Sequence, residues 1–339
     1  MSSIIIILPY FGKFPETFPF WLESCKQNNT IDFLIATDQE LNVQASNIKV
    51  LKTSLIAIKH KIENILGFNV WLEKPYKLCD FKPLYDKVFI EYTASYDFWG
   101  YCDCDLIFGD IRSFITKDLL DTKDYILGMG HFHLQRNHDE KYEQVWKTAR
   151  GLWRDIHWKE IFQSPKNEWF DELPFGVSGR CFEMYPQKFW SGFTPLGRCY
   201  DGPSSSFFQF VDGYNCFRLY IKDPAYQNHV VRLPFWKRQP SEELKHIIYL
   251  KAGINLYSVG INSNGAVVKT PILYAHFYKR KFKIKTANTQ KYIIYPNVFA
   301  DWIKLNKINL WWYANNPLGR WEQMRKRVIS KIKRVFNGK

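Results

Sequence analysis

Asp97-Phe98-Trp99-Gly100-Tyr101-Cys102-Asp103-Cys104-Asp105-Leu106-Ile107-Phe108-Gly109-Asp110 is the stretch on which the fold turns. Asp97–Tyr101 is aromatic and predicts a buried strand. Two carboxylates one residue apart, Asp103 and Asp105, come directly after it. Hard divalent cations take oxygen ligands, and Mg²⁺ or Mn²⁺ sites often use one or two carboxylates together with phosphate oxygens. At the carboxyl end of a central strand, such a pair lies where open α/β sheets bind ligands.

Outward from this stretch the pattern alternates. Ile4–Leu8, residues 31–38 and Ile48–Leu51 read as strands. Pro15–Asn28, Ser54–Leu66 and Pro83–Ser95 read as helices. Asp110–Ile115 and Tyr125–Met129 predict further strands. The alternation predicts an α/β fold, a largely parallel Rossmann-type sheet with helices on both faces. From Lys141 the texture changes: a helix over Lys141–Phe162, then loops rich in Pro, Gly and aromatics, and a late strand at Ile272–His276. Residues 1–316 read as one catalytic domain. Its first half, 1–135, is expected to bind a nucleotide and its second, 136–316, an acceptor. Residues 317–339 read as a separate terminal helix.

The 339 residues are 46% hydrophobic and 18% aromatic, ample for a large core. Seven cysteines at irregular spacing, with no Cys-x-x-Cys pair, argue against a disulfide framework and a structural zinc site. The apolar run at the N-terminus is too short for a signal peptide or a span, and no other run approaches the roughly 18 apolar residues a spanning helix needs. A cytoplasmic protein, peripheral to a membrane, is expected. Of the +14 net charge, half lies in Arg320–Lys339, where eight basic residues face Glu322 alone. Leu318, Trp321, Met324, Val328, Ile329, Ile332, Val335 and Phe336 fall on an apolar arc of about 140°. A basic amphipathic helix of this kind predicts binding to an anionic membrane surface. The remaining excess reads as diffuse, and no nucleic-acid module is evident, so nucleic acid is not an expected partner.

Other segments bear chemistry. Thr37 and Asp38 end an early strand, where a carboxylate can meet a ribose, or else close a turn. Lys77, Asp80 and Lys82 precede Pro83 at a predicted helix start, a place that suits phosphate or merely a solvated turn. His276 ends the late strand, followed by Lys279 and Arg280. His131 and His133 read as surface or core residues, with the donor pocket as the alternative. Asp201, Asp171 and Glu172 are candidate general bases, Asp201 first because aromatics flank it and a Gly-Pro turn comes next.

Together, Pro9-Tyr10-Phe11, Lys77-Leu78-Cys79-Asp80-Phe81-Lys82-Pro83, Phe98–Asp105, Phe108-Gly109-Asp110 and His276-Phe277-Tyr278-Lys279-Arg280 resemble the GT-A superfamily of nucleotide-sugar glycosyltransferases. The likeness is greatest to an incompletely characterised family from bacterial capsule and O-antigen loci. The resemblance implies a GT-A-like mixed sheet and a Mn²⁺ or Mg²⁺ ion held by Asp103, Asp105 and His276. It implies a nucleotide pocket lined by Thr37, Asp38, Lys77, Asp80 and Asp103, with Lys82, Lys279 or Arg280 on the diphosphate. The implied reaction transfers a hexose, with UDP-galactose as the prior, to a saccharide or lipid-linked glycan. The competing class is a non-catalytic, membrane-associated sugar-binding or scaffold protein. A phosphatase of the HAD type is disfavoured, because its Asp-x-Asp comes after the first strand.

Overall fold

The computed structural model describes residues 2–151, 155–172, 176–190, 245–277, 282–295 and 298–315. Within these, the chain is a mixed α/β structure built on two main sheets and a short ribbon joining them.

The first sheet begins with β1 (Ile4–Tyr10), α1 (Phe18–Gln27), β2 (Asp32–Thr37), β3 (Ile48–Lys52) and α2 (Leu55–Leu66). A 3₁₀ segment over Pro75–Leu84 and the short helices α3 (Tyr85–Val88) and α4 (Ile90–Thr93) lead to β4 (Phe98–Cys102). Next come β5 (Leu106–Phe108), α5 (Lys117–Thr122), β6 (Tyr125–Met129), β7 (Phe132–Arg136), α6 (Tyr142–Thr148), α7 (Trp158–Gln163), α8 (Val177–Met184) and β8 (Phe189–Trp190). The strand order is β3-β2-β1-β4-β7-β6-β8. β3, β2, β1 and β4 run parallel. β7 is antiparallel to β4 and to β6.

The four isoleucines of β1 are all buried because both faces of the sheet are covered. Ile5 and Ile7 enter one apolar cluster with Trp99 and Tyr101. Ile4, Ile6 and Leu8 enter the opposite one with Trp21, Phe33 and Phe98. Local chemistry sets the helix ends: Ser54 caps α2 by accepting from the Ala57 N–H, and Thr116 caps α5 through Leu119.

The second sheet comprises β9 (Lys245–Ala252), β10 (Asn255–Ile261), β11 (Val267–Pro271), β13 (Lys283–Lys285), β14 (Lys291–Tyr295) and β15 (Val298–Asp301), in the order β11-β10-β9-β14-β15-β13. Helix α9 (Lys307–Asn315) packs on β9. Phe20 of α1 fits against Tyr292 and Phe299 of this sheet, with ring centroids 5.0 and 4.8 Å away.

Between the two sheets, β12 (Tyr274–His276) pairs antiparallel with β5, His276 opposite Leu106. Gly109 closes this ribbon: its N–H donates to the Leu273 carbonyl at 2.7 Å. A Cβ at Gly109 would fall 2.4 Å from the Ile272 carbonyl oxygen, so no larger residue fits without moving backbone. Asn28, at the end of α1, fixes the same corner by donating to Gly109 O and accepting from Ile111 N, both at 2.9 Å.

Several sequence expectations change. Asp110–Ile115 is no strand: Asp110 caps a 3₁₀ turn at Ile111–Ser113. The helix expected at Pro83–Ser95 divides into α3 and α4, and that at Lys141–Phe162 into α6 and α7. The second sheet was foreseen only at its β12 neighbour. The terminal helix predicted over 317–339 lies outside the described residues, as does the Gly197–Ser206 loop.

Gly109→Ala is expected to destabilise the fold by about 1–3 kcal/mol, the usual cost of forcing atoms into packed space. A urea unfolding midpoint unchanged from the parent would contradict the tight corner.

Candidate metal centre

β1 leads through α1 to β2 on one side, while β4 lies on the other side of β1. The crevice beyond the carboxyl ends of β1 and β4 is therefore the topological switch point of the sheet. Asp103 comes directly after β4, at its mouth.

Two backbone bonds place the pair. Asp103 N–H donates to the His131 carbonyl, in the β6–β7 turn, and Phe277 N–H donates to the Asp105 carbonyl, both at 2.9 Å. The ribbon thus lays His276 beside Asp105 across 171 positions of sequence. One ligand atom from each of Asp103, Asp105 and His276 lies within 4.8 Å of the others. His276 Nε2 is 3.5 Å from Asp105 Oδ1. The side chains of Asp103 and Asp105 are 43% and 34% exposed, and that of His276 only 4%. Two carboxylates reach the crevice and an imidazole backs them.

Buried Asp105 Oδ1 accepts no hydrogen bond among the described residues. Burial works against charge on Asp105, yet the imidazole of His276 holds its carboxyl below the ordinary range. Between the two carboxylates, burial, then the charges of Asp105 and Asp103, push the Cys104 thiol well above its usual value. It is a packed thiol and no thiolate ligand. Two carboxylates and one imidazole form a mixed oxygen and nitrogen donor set that a divalent cation can use.

His131 stacks on His276, centroids 3.9 Å apart and planes 20° from parallel. Its Nε2 lies 3.0 Å from the Tyr274 hydroxyl. Burial, then the neighbouring His276, pushes His131 well below the usual imidazole value, so the ring is neutral at physiological pH. His133 is a core residue: it stacks on Tyr101, and its Nδ1–H donates to the Leu127 carbonyl at 2.8 Å. Leu127 itself has φ +63° at a bulge in β6, a conformation that branched-chain packing seldom allows.

Lys82 sits behind Asp103. Its ammonium donates to Asp103 Oδ1 at 3.0 Å and to the Gly130 carbonyl at 2.6 Å, and stands 3.2 Å from Asp171 Oδ2. Burial opposes the charge, but Asp103 and Asp171 outweigh it and keep the amine well above an ordinary lysine. Lys82 was expected to grip a diphosphate. With three oxygens around it and 6% exposure, it instead positions Asp103. Glu172 packs against Gly130, since a Cβ there would fall 2.6 Å from its Cγ. Burial pushes Asp171 up to about 7, and burial together with the charge of Asp171 pushes Glu172 up to about 8. Of these two base candidates, Asp171 is buried and Glu172 half-buried.

Lys77 and Asp80, expected in the nucleotide pocket, are a fully buried ion pair at 2.8 Å. Lys77 also donates to the Ile161 and Lys166 carbonyls, and Asp80 accepts from Glu168 and Phe170 N–H groups. Their polar capacity is spent on the loop that delivers Asp171, so they shape the site from behind and cannot line it. Thr37 is likewise buried, its hydroxyl accepting from Gln39 N–H. Asp38 is exposed at the end of β2, where it accepts from the Gly12 N–H at 2.9 Å and ties the loop after β1 to the loop after β2. Asp201, Lys279 and Arg280 lie outside the described residues.

Residues 6–194 match the profile of a family of unknown function, DUF6625. The chain belongs to that family. Asp103, Asp105, Lys82 and Asp171 fall within the matched span of this DUF6625 protein, and His276 falls beyond it. No curated protein matches. Among solved structures, a glycosyltransferase involved in the glycosylation of the major capsid of PBCV-1 aligns with 57% of this chain and 83% of its own, at 10% identity and a TM-score of 0.26.

Asp171 and Glu172 bind protons more tightly when folded than the roughly 3.9 and 4.3 of free side chains. The folded state therefore holds extra protons between about pH 4 and 8. Their contribution to stability is complete at low pH and is lost as pH rises through 7 and 8. The thermal midpoint in chelator is expected to fall between pH 5 and 8.5, and to fall less steeply in Asp171→Asn/Glu172→Gln. Equal slopes would refute the assignment.

Proposed function

We propose that this DUF6625 protein is a metal-dependent glycosyltransferase of GT-A type. Its substrate would be a nucleotide sugar, with a UDP-hexose such as UDP-galactose as the expected donor. The acceptor would be a glycan or lipid-linked glycan, of the kind that the sequence resemblance implies in bacterial surface polysaccharide synthesis. The observation that carries this reading is the convergence of Asp103, Asp105 and His276 at the switch point of a mixed sheet.

Asp103, Asp105 and His276 would hold Mn²⁺ or Mg²⁺. A cation bound there would neutralise charge on a departing nucleoside diphosphate. The protein's own groups supply the rest. Lys82 holds Asp103 aimed at the crevice. Asp38, at the rim and held below the ordinary carboxylate range by the Gln39 side chain and the Gly12 N–H, offers an ionised acceptor for ribose hydroxyls. Glu172, half-buried beside Lys82, is the described carboxylate best placed to take the acceptor hydroxyl's proton once ionised.

A thermal-shift panel of nucleotides with and without Mn²⁺ tests both donor and metal. A nucleotide at 100 times its Kd stabilises by about 2.7 kcal/mol, an easily read shift. Expected is a UDP-selective shift that requires Mn²⁺, together with slow Mn²⁺-dependent hydrolysis of the UDP-sugar. Asp105→Ala should abolish both. Retained activity in that variant would sink the metal assignment. Nucleotide-sugar binding with no turnover on any acceptor would favour the non-catalytic class.

A further inference from the structure

The positive charge of this chain is segregated. Residues 1–244 hold 28 Lys and Arg against 31 Asp and Glu, whereas residues 245–339 hold 19 against two, Asp301 and Glu322. The excess is thus not diffuse outside the terminal segment: residues 245–315 alone carry eleven basic residues and one acidic one. The described residues of this stretch build the second sheet, β12 and α9. Lys269, Lys283, Lys285, Lys291, Lys304 and Lys307 are all exposed there.

The same region exposes large apolar side chains. Trp302, Ile308, Trp311 and Trp312 are 40%, 81%, 48% and 49% exposed. Ile308, Trp311 and Trp312 stand at i, i+3 and i+4 on α9, so they share one face. The other face is already committed, because Leu310 and Ala314 pack with Ile248, Leu250 and Ile293. α9 is therefore apolar twice over, once toward its own core and once toward solvent. Lys291 lies 4.2 Å from the centroid of the Trp302 ring, so basic and aromatic groups interleave.

We propose that this Trp-bearing face of the second sheet and α9 docks on an anionic lipid bilayer. Tryptophan settles at the headgroup boundary, and exposed lysines beside it meet anionic headgroups. Nucleic acid fits less well, since an isoleucine at 81% exposure gains nothing from phosphate and much from acyl chains. In sequence the basic segment follows directly after Asn315. This proposal extends membrane contact from the terminal segment to the folded sheet. It needs neither donor nor metal, so it stands or falls apart from glycosyl transfer.

Co-sedimentation of the full chain with phosphatidylglycerol/phosphatidylcholine vesicles, against phosphatidylcholine alone, tests it. Expected is binding to the anionic vesicles that weakens as salt rises. Trp311→Ala/Trp312→Ala should lower the partition by about tenfold or more. Lys304→Ser/Lys307→Ser should lower it by roughly fivefold per lysine. The lysine variant carries the test if the tryptophan variant fails to keep the parent's circular dichroism and unfolding midpoint. A partition unchanged in the folded variants would overturn the proposal and leave any binding to the terminal segment. So would equal binding to neutral vesicles, or duplex DNA binding in place of vesicles.

Discussion

The pairing of Leu106–Phe108 with Tyr274–His276 is the constraint on which the site depends. A carboxylate pair after a strand is common and by itself says little. An imidazole delivered to its side by three residues of antiparallel ladder makes a ligand set. The ladder is short, so its stability comes from the residues that enclose it. Ile107 and Ala275 are buried in an apolar cluster with Phe20, Tyr249 and Phe299. Gly109 and Asn28 clamp the end of β5. Buried Lys251 reaches across from β9 to donate to Phe108 O at 2.5 Å, and burial lowers its amine to about 7. The two sheets are therefore joined at the point where the candidate ligands meet.

A second constraint is charge balance in a poorly solvated place. Lys82 is a buried cation, stabilised by Asp103 and Asp171 from two sides and by the Gly130 carbonyl. Removing one partner from such an arrangement leaves the other charge uncompensated, which commonly costs more than the pair contributes. Lys77 and Asp80 repeat the logic just before it: paired with each other, they also hold the main chain of residues 161–170. A lysine-rich segment that reads as a phosphate grip is, in three dimensions, a pair of internal braces.

This difference shows where sequence reading reaches and where it stops. The strands β1, β2 and β4 were legible because continuous apolar runs bounded by polar pairs leave few alternatives. Asp103 and Asp105 were legible because the residues just past the end of a buried strand emerge at the sheet's edge. His276 was legible only through resemblance, since nothing local marks an imidazole whose partner lies far back in the chain. The burial of Lys77, Asp80 and Lys82 was hidden, because side-chain type does not reveal whether a partner waits across a loop. His131 carries no pattern of its own. Its His-x-His spacing with His133 suggests two neighbours on one side of a strand, but His131 lies in the turn before β7, and its stack on His276 depends on that turn. The second sheet went unseen in part because β11 and β13 are short and expose alternate residues, a texture shared with loops.

The long sequence interval spanned by the ribbon also bears on the order of events in folding. Contacts between residues far apart in the chain form against a larger loop-closure entropy than local ones. During synthesis the first sheet can assemble from residues already made, with both carboxylates at the end of β4, while β12 has yet to be translated. A nascent chain at that stage has a nearly finished sheet and an unfinished ligand set. Competence to coordinate would then come late, as a property of the completed polypeptide rather than of its first folded part.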